Sequence, residues 1–319
     1  MKIFFSSPGR RVELIKLFKK EIKDIIIIGG DYSENSPALL FCDKKFNLPF
    51  KIDKNYIDEV LKICIEEGVD LVIPFIDHEL ELYSQYRKVF NNHGIEIMIS
   101  SEESIKISSD KMNTFNFFNK YNFINNPLTC LLKDFDPVNF KSDLVILKPK
   151  NGSSGIGIHK VKKNDVIEYS KMIELDQNQY IVQKYIDFDF EVTIDIFIDK
   201  ENRLIELCQR KRLKIRGGEV EQAVTIKDEI INETIEKIIH ETSFFGVINI
   251  QIMIKDNEYF IGEINPRFGG GFPLSYYAGA NIIEHIKNQI DGKYIVQYAD
   301  SRYLNSFYML RFDDAIYTK

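Results

Sequence analysis

In the stretch from Phe245 to Gly271 (FFGVINIQIMIKDNEYFIGEINPRFGGG), Gln251, Glu263 and Asn265 interrupt two Ile-rich runs. Val247–Ile254 and Tyr259–Ile264 read as adjacent antiparallel strands, and Asp256-Asn257 between them tolerates the positive φ of a tight hairpin turn. Side chains alternate faces along a strand, so Glu263 and Asn265 point the same way and Gln251 on the partner can join them. Three converging oxygen donors suit a hard cation such as Mg²⁺, which keeps water and shares its remaining positions with phosphate oxygens. Beyond Pro266, Arg267 adds a planar cationic fork, and Gly269-Gly270-Gly271 lets backbone come close to a ligand. A hairpin end that is polar because it meets water is the plainer reading. The cost of placing such groups in so apolar a setting argues against it.

A second constellation starts at Lys148, inside the apolar run Leu144–Lys150, which leads directly into Asn151-Gly152-Ser153-Ser154-Gly155-Ile156-Gly157. A glycine- and serine-rich loop after a strand presents many backbone N–H groups and can fold over phosphates. No Gly-Lys-Ser/Thr follows, so this is not a Walker loop. Lys148 either answers a phosphate or snorkels out of a polar hairpin. Ser108-Ser109-Asp110 reads as an N-cap cluster for a helix from Lys111 to Tyr121. Tyr180–Ile186 is another apolar strand, ending near Asp187, Asp189 and Glu191, and Val192–Ile198 alternates around Asp195. Between Gln209 and Glu219 lie Arg210, Lys211, Arg212, Lys214 and Arg216, either a wet loop or the partner of an anionic ligand.

The elements that must hold these groups begin with strand–helix alternation. Lys2–Phe5, Ile25–Ile28, Leu71–Pro74 and Glu96–Ile99 read as strands; Arg10–Ile22, Tyr56–Glu67 and Glu79–Asn91 read as helices. That order predicts a doubly wound parallel sheet with ligands at its carboxyl strand ends. Those ends carry Ser6, Ser7, Gly9, Arg10, Arg11, then Asp31, then Asp77, His78 and Glu79. Ser-Ser-Pro-Gly-Arg-Arg lacks the GxGxxG spacing, which argues against a nicotinamide or flavin site. Gly9, Arg10 and Arg11 at a helix start can still hold a carboxylate or phosphate, or merely solvate that start. His78 reads as a helix-start residue.

At 319 residues the chain exceeds one core, so two or three domains are expected. A net charge of -6, spread in sign along the chain, argues against a nucleic-acid footprint, which would need a basic face. The N-terminus has too short an apolar run for a signal peptide, and no segment reaches membrane-spanning length. Cys42, Cys64, Cys130 and Cys208 are scattered without a CxxC or Cys/His pairing, as in a reduced, cytoplasmic protein with no zinc site.

Taken in order, a lysine at a helix start, a lysine before a glycine flap, an apolar strand with acidic sequel, and Gln…Glu-x-Asn-Pro-Arg resemble the ATP-grasp superfamily. The likeness is to its carbamoyl-phosphate synthetase large-subunit and stand-alone carboxylate–amine ligase branch, and it spans nearly the whole chain. It implies a mixed α/β and α+β fold. Residues 1–105 would form a Rossmann-like pre-ATP-grasp domain, 106–186 the first ATP-grasp part with the flap, and 187–319 the C-terminal part with antiparallel sheet. Phe307–Asp313 would be an edge strand.

Residue by residue, the resemblance implies that Lys111 and Lys148 contact ATP phosphates under the flap Gly152, Ser153, Ser154 and Gly155. Gln183, Lys184, Tyr185 and Ile186 would meet adenine, and Glu191 the ribose. Gln251, Glu263 and Asn265 would hold one or two Mg²⁺ ions, or Mn²⁺ in their place. Arg216 would stand near the phosphates, and Arg267 at the transferred phosphoryl group. Many relatives have a carboxylate at Gln251 and an acidic residue in the hinge, where this chain departs. The implied activity is ATP-dependent activation of a small-molecule carboxylate as an acyl-phosphate and its capture by an amine, with Lys148, Arg216 and Arg267 stabilising charge. Asp195, Glu219 or solvent would take the amine proton. The alternatives are bicarbonate activation of the carboxylase or carbamoyl-phosphate type, and a non-catalytic nucleotide-binding regulator. A homodimer is expected from resemblance only.

Overall fold

The structure, a computed structural model, describes residues 1–152, 155–293, 295 and 302–318. The N-terminal part runs β1 (Lys2–Ser6), α1 (Val12–Glu21), β2 (Ile26–Asp31), β3 (Lys44–Asn47), α2 (Lys54–Glu67), β4 (Leu71–Pro74), α3 (Asp77–Asn92) and β5 (Glu96–Ile97). All five strands are parallel, in the order β3-β2-β1-β4-β5. The central strands are apolar on both faces because helices cover both. β3, with its exposed lysines, has too little apolar pattern to be read as a strand from sequence.

Two short helices follow, α4 (Glu102–Ser109) and α5 (Lys111–Phe118). Ser108 and Ser109 belong to α4, and Asp110 is the cap of α5, accepting from Met112 N at 2.8 Å. Next come β6 (Thr129–Leu131), β7 (Leu144–Pro149), β8 (His159–Lys162), α6 (Val166–Met172) and β9 (Tyr180–Lys184). They form an antiparallel sheet ordered β6-β9-β7-β8, with its own small core of Leu132, Val145, Leu147, Val161 and Val182.

The remainder is β10 (Phe190–Ile198), β11 (Leu204–Arg216), β12 (Glu219–Ile226), α7 (Glu229–His240), β13 (Gly246–Lys255), β14 (Glu258–Asn265), α8 (Phe272–Tyr277), α9 (Ile282–Ile290) and β15 (Tyr308–Leu310). These strands make an antiparallel sheet ordered β14-β13-β10-β11-β12-β15, with β15 on its edge. The charged stretch after Gln209 is thus half of the β11–β12 hairpin rather than a loop.

The two faces of this sheet explain its composition. Val192, Ile194, Ile196 and Ile198 of β10, with Ile248, Ile250, Ile252 and Ile254 of β13, pack on Ile231, Ile235, Ile238 and Ile239 of α7. The alternate positions face the other way and change character along the strands. Phe197 and Val247 join Phe5, Phe18, Phe75 and Phe268 in a core shared with the N-terminal sheet. Further along come Asp195 and Asn249, then Thr193 and Gln251, then Glu191 and Met253. Polarity rises where the sheet leaves the shared core.

The hairpin turn is as expected: Asp256 and Asn257 have φ of 49° and 62°, the left-handed pair of a two-residue turn. One irregularity matters. Ile252 pairs with Ile261 but Gln251 pairs with Glu263, so Gly262 is an extra residue in β14. Ile261 therefore packs in the α7 core while Glu263, two residues on, faces the opposite side with Gln251.

Candidate active site

A cleft of about 260 Å³ opens between the two antiparallel sheets. One wall is Ile146, Lys148 and Gln183 of the four-stranded sheet, and the other is Glu191, Gln251, Met253 and Glu263 of the six-stranded sheet. Lys184, Tyr185, Ile186 and Phe188, at the passage between the sheets, close one end. Lys111, Gly152, Gly155, Ile156 and Ile158 line the side where the glycine loop lies.

Lys148 sits inside β7, donating to Gln183 Oε1 at 2.8 Å, and Gln183 in turn donates to Thr129 Oγ1 at 2.9 Å. Burial, then the charge of nearby Lys111, brings the Lys148 ammonium down to about 8, against the opposing field of Glu263 across the cleft. A buried cation bonded to a neutral amide, with a second lysine beside it, is an arrangement that an anion completes. Lys111 Nζ donates to Gly152 O at 3.0 Å, tying the start of α5 to the loop. Opposite, Gln251 and Glu263 are direct cross-strand neighbours, as are Asn249 and Asn265.

Asn265 lies beside the cleft, buried, with Oδ1 accepting from Arg267 Nη2 at 3.2 Å. Arg267 is held bidentately by Asp77 at the start of α3, at 2.8 and 2.6 Å, so its fork points to the N-terminal domain. Ser153 and Ser154 lie outside the described residues. Arg216 is not brought to the cleft. It is exposed on the outer end of β11 and bridged to Asp313. Register breaks after Arg212 and after Lys214 rotate the strand, so alternation counted from Arg210 fails before Arg216. Arg212 is the arginine of that run that reaches Glu191, at the cleft edge. Asp195 is unavailable as a base: it is fully buried, bidentate with Arg210 and accepting from Ser275 Oγ.

Sequence reasoning missed the apolar walls (Ile146, Ile158, Phe188 and Met253), because scattered apolar side chains carry no signal of what they face. Asn249 was legible in principle as a second polar break in β13; its amide donates to Arg267 O at 3.0 Å and fixes the turn after β14.

As a fit for a nucleotide with a divalent cation, the cleft has an apolar slot, two lysines and a facing oxygen set. Among the described residues no group of three His, Cys, Asp or Glu could hold a metal ion, and Gln251, Glu263 and Asn265 bring one carboxylate between them. That charge suits a cation shared with phosphates better than a closed protein cage.

Residues 3–98 match the family model described as PylC-like, N-terminal domain, and residues 176–306 match that of ATP-grasp in the biosynthetic pathway with Ter operon. The chain is similar to the carbamoyl phosphate synthase large chain of Buchnera aphidicola, 25% identical over 58% of this chain and 18% of the relative. It is 23% identical to the formate-dependent phosphoribosylglycinamide formyltransferase of Prochlorococcus marinus, over 76% of this chain and 63% of that one. To the tyramine–L-glutamate ligase of Methanocaldococcus jannaschii it is 23% identical over 80% of this chain and 73% of the relative. It thus spans less than two thirds of the first two relatives. In fold it resembles the biotin carboxylase domain of Hydrogenobacter thermophilus 2-oxoglutarate carboxylase, with a TM-score of 0.78 at 14% identity over 96% of this chain and 73% of that one. N5-carboxyaminoimidazole synthetase from Staphylococcus aureus, solved with ADP, gives a TM-score of 0.72 at 16% identity over 92% and 78%. Two facing antiparallel sheets behind a parallel N-terminal domain thus carry a PylC-like N-terminal match over residues 3–98 and an ATP-grasp match over residues 176–306, and the chain is similar to ATP-grasp proteins.

Proposed function

We propose that the protein is an ATP-dependent ligase that activates a small-molecule carboxylate as an acyl-phosphate and joins it to an amine, releasing ADP and phosphate. The observation that carries this reading is the meeting of Lys148 and Glu263, from different sheets, across one cleft. Lys111 and Lys148 would take the phosphates, with Gly152 to Gly155 folding over them. The apolar slot and the passage Gln183 to Ile186 would take the base, and Glu191 the ribose.

Gln251, Glu263 and Asn265 would hold Mg²⁺, which supplies charge neutralisation between phosphates. A substrate carboxylate oxygen attacks the γ-phosphorus and ADP leaves. The amine then attacks the acyl carbon and phosphate leaves, losing its proton to solvent or to Glu219, which is partly exposed. Catalysis here is positioning and charge balance. Arg267 takes part by sharing its fork between Asp77 and the substrate; Arg216 has no role in this reading. Closing the glycine loop keeps water from the acyl-phosphate.

One relative is by name formate-dependent and another is by name a ligase of tyramine and L-glutamate, and this supports the substrate class. The dimeric biotin carboxylase neighbour supports a two-copy assembly. No helix among the described residues is long and apolar enough to cross a membrane, consistent with a cytoplasmic enzyme. The test is incubation with Mg-ATP, hydroxylamine and a panel of acids. Acid-dependent hydroxamate with matching ADP is expected, and Lys148→Ala abolishes it. Nucleotide binding without acid-dependent ADP release across the panel would leave a regulator rather than an enzyme.

A further inference from the structure

The parallel sheet has its own crevice, joined to the nucleotide cleft through Arg267 and the turn after β14. In the order β3-β2-β1-β4-β5 the chain winds one way from β1 to β2 and the other way to β4, so the loops after β1 and β4 part from each other. Open sheets of this kind take ligands at that switch point. One lip is Ser7–Arg11 and the other is Phe75–Glu79. The turn after β14 roofs them over: Arg267 grips Asp77, and Phe268 stacks on Phe75 with centroids 6.0 Å apart.

Two guanidinium groups occupy this crevice. Arg11 lies over the Phe75 ring at 5.4 Å, half-buried, and its Nε is sealed from solvent without a hydrogen-bond partner. Burial, then the charge of Arg267, brings Arg11 down to about 10, against the opposing fields of Glu219, Asp77 and Glu79. None of these carboxylates pairs with Arg11 among the described residues. Asp77 is committed to Arg267, and Glu219 faces Arg10 at 3.7 Å and Arg311 at 3.1 Å. Glu79 is wholly buried, and neither of its oxygens has a hydrogen-bond partner of normal geometry. Arg10, largely exposed, needs no ligand. The crevice holds an unpaired, aromatic-backed guanidinium beside another cation, and what it lacks is an anion.

We propose that Arg11, with Arg267 facing it, is the carboxylate-recognising residue for the non-nucleotide substrate, so that one of the two molecules joined carries a carboxylate read by the N-terminal domain. A planar fork backed by an aromatic ring pairs bidentately with a carboxylate, and phosphate, which such a fork also accepts, is an arm of the test. The inference rests on the ligase reading for the word substrate, but not for the anion site itself.

The test is protection of arginines in the full chain from phenylglyoxal, followed by peptide mapping. Succinate, L-glutamate and inorganic phosphate are each compared with chloride at equal ionic strength. Succinate or L-glutamate is expected to slow modification of Arg11 by about threefold or more, as for a charge-assisted contact, while Arg10 reacts unchanged. Arg11→Lys keeps the charge but not the fork and should lose most of the carboxylate protection of Arg267, with its melting temperature unchanged. Arg11→Met controls for loss of charge. Protection by phosphate alone, or by none of the three beyond chloride, overturns the proposal. Mg-ATP calorimetry on the same samples reports separately on the nucleotide cleft: no binding there would sink the ligase reading while leaving the Arg11 result standing.

Discussion

Lys148 is held charged in a place that penalises its charge, and replacing it with methionine should separate stability from function. The drop from 10.5 to about 8 corresponds to about 3 kcal/mol of folded-state penalty on the ammonium. Lys148→Met removes that penalty but leaves Gln183 Oε1 without its donor, a loss of about 1–3 kcal/mol. At pH 7.5 the variant should therefore be as stable as wild type or up to about 2 kcal/mol more stable. The pH dependence is sharper. Below about 8 the lysine is protonated in both folded and unfolded chains and the full penalty applies. Between about 8 and 10.5 the unfolded chain holds more protons, so wild-type stability rises with pH. The methionine variant lacks that rise, and its advantage should vanish by pH 10.5. Nucleotide binding moves oppositely. Wild-type affinity should fall as pH rises through about 8, with proton uptake on binding, while the variant binds at least about tenfold more weakly and without that slope. Denaturant melts and calorimetry in buffers of different ionisation enthalpy measure both. A variant less stable at pH 7.5, with unchanged nucleotide affinity, would refute the reasoning.

Glu79 gives a second pH signature: burial raises it to about 7, so its charge costs stability increasingly as pH climbs from 4.5 to 7. Glu79→Gln should raise the melting temperature at pH 8 and not at pH 4.5, read by scanning fluorimetry. Glu263→Gln should weaken Mg²⁺-dependent nucleotide binding by about tenfold or more, measured by titrating Mg²⁺ into protein and nucleotide, while binding in EDTA is unchanged. A Cβ on Gly271 would run into Arg210 Nη1, so Gly271→Ala must shift a member of the buried Arg210–Asp195 pair and should cost about 1–3 kcal/mol in a denaturant melt.

Much of this architecture was legible because apolar runs of strand length alternate with helical periodicity in the N-terminal hundred residues, and because the hairpin carries its turn signal in Asp256-Asn257. The cleft lysines and Glu263 were legible for a related reason, since a polar residue in an apolar strand needs a partner. What was not legible depended on contacts distant in sequence. The β11–β12 hairpin hid behind its charges, because its basic side chains are matched by Glu191, Glu221 and Asp313 rather than by a ligand. Arg216 was misplaced by register breaks that no alternation pattern reveals. Asp77 gave no sign of its bond to Arg267, 190 positions away.

The extra residue at Gly262 has a consequence for how this protein can vary. In a regular strand Ile261 and Glu263, two residues apart, would share the side packed by α7, and Glu263 would be buried in isoleucine; the bulge at Gly262 sets them on opposite sides. The insertion works as a phase shifter in an otherwise regular ribbon. Loss of Gly262 itself would leave Glu263 directly after Ile261 and still opposite Gln251, whereas keeping Gly262 but flattening the bulge into regular strand would turn Glu263 inward.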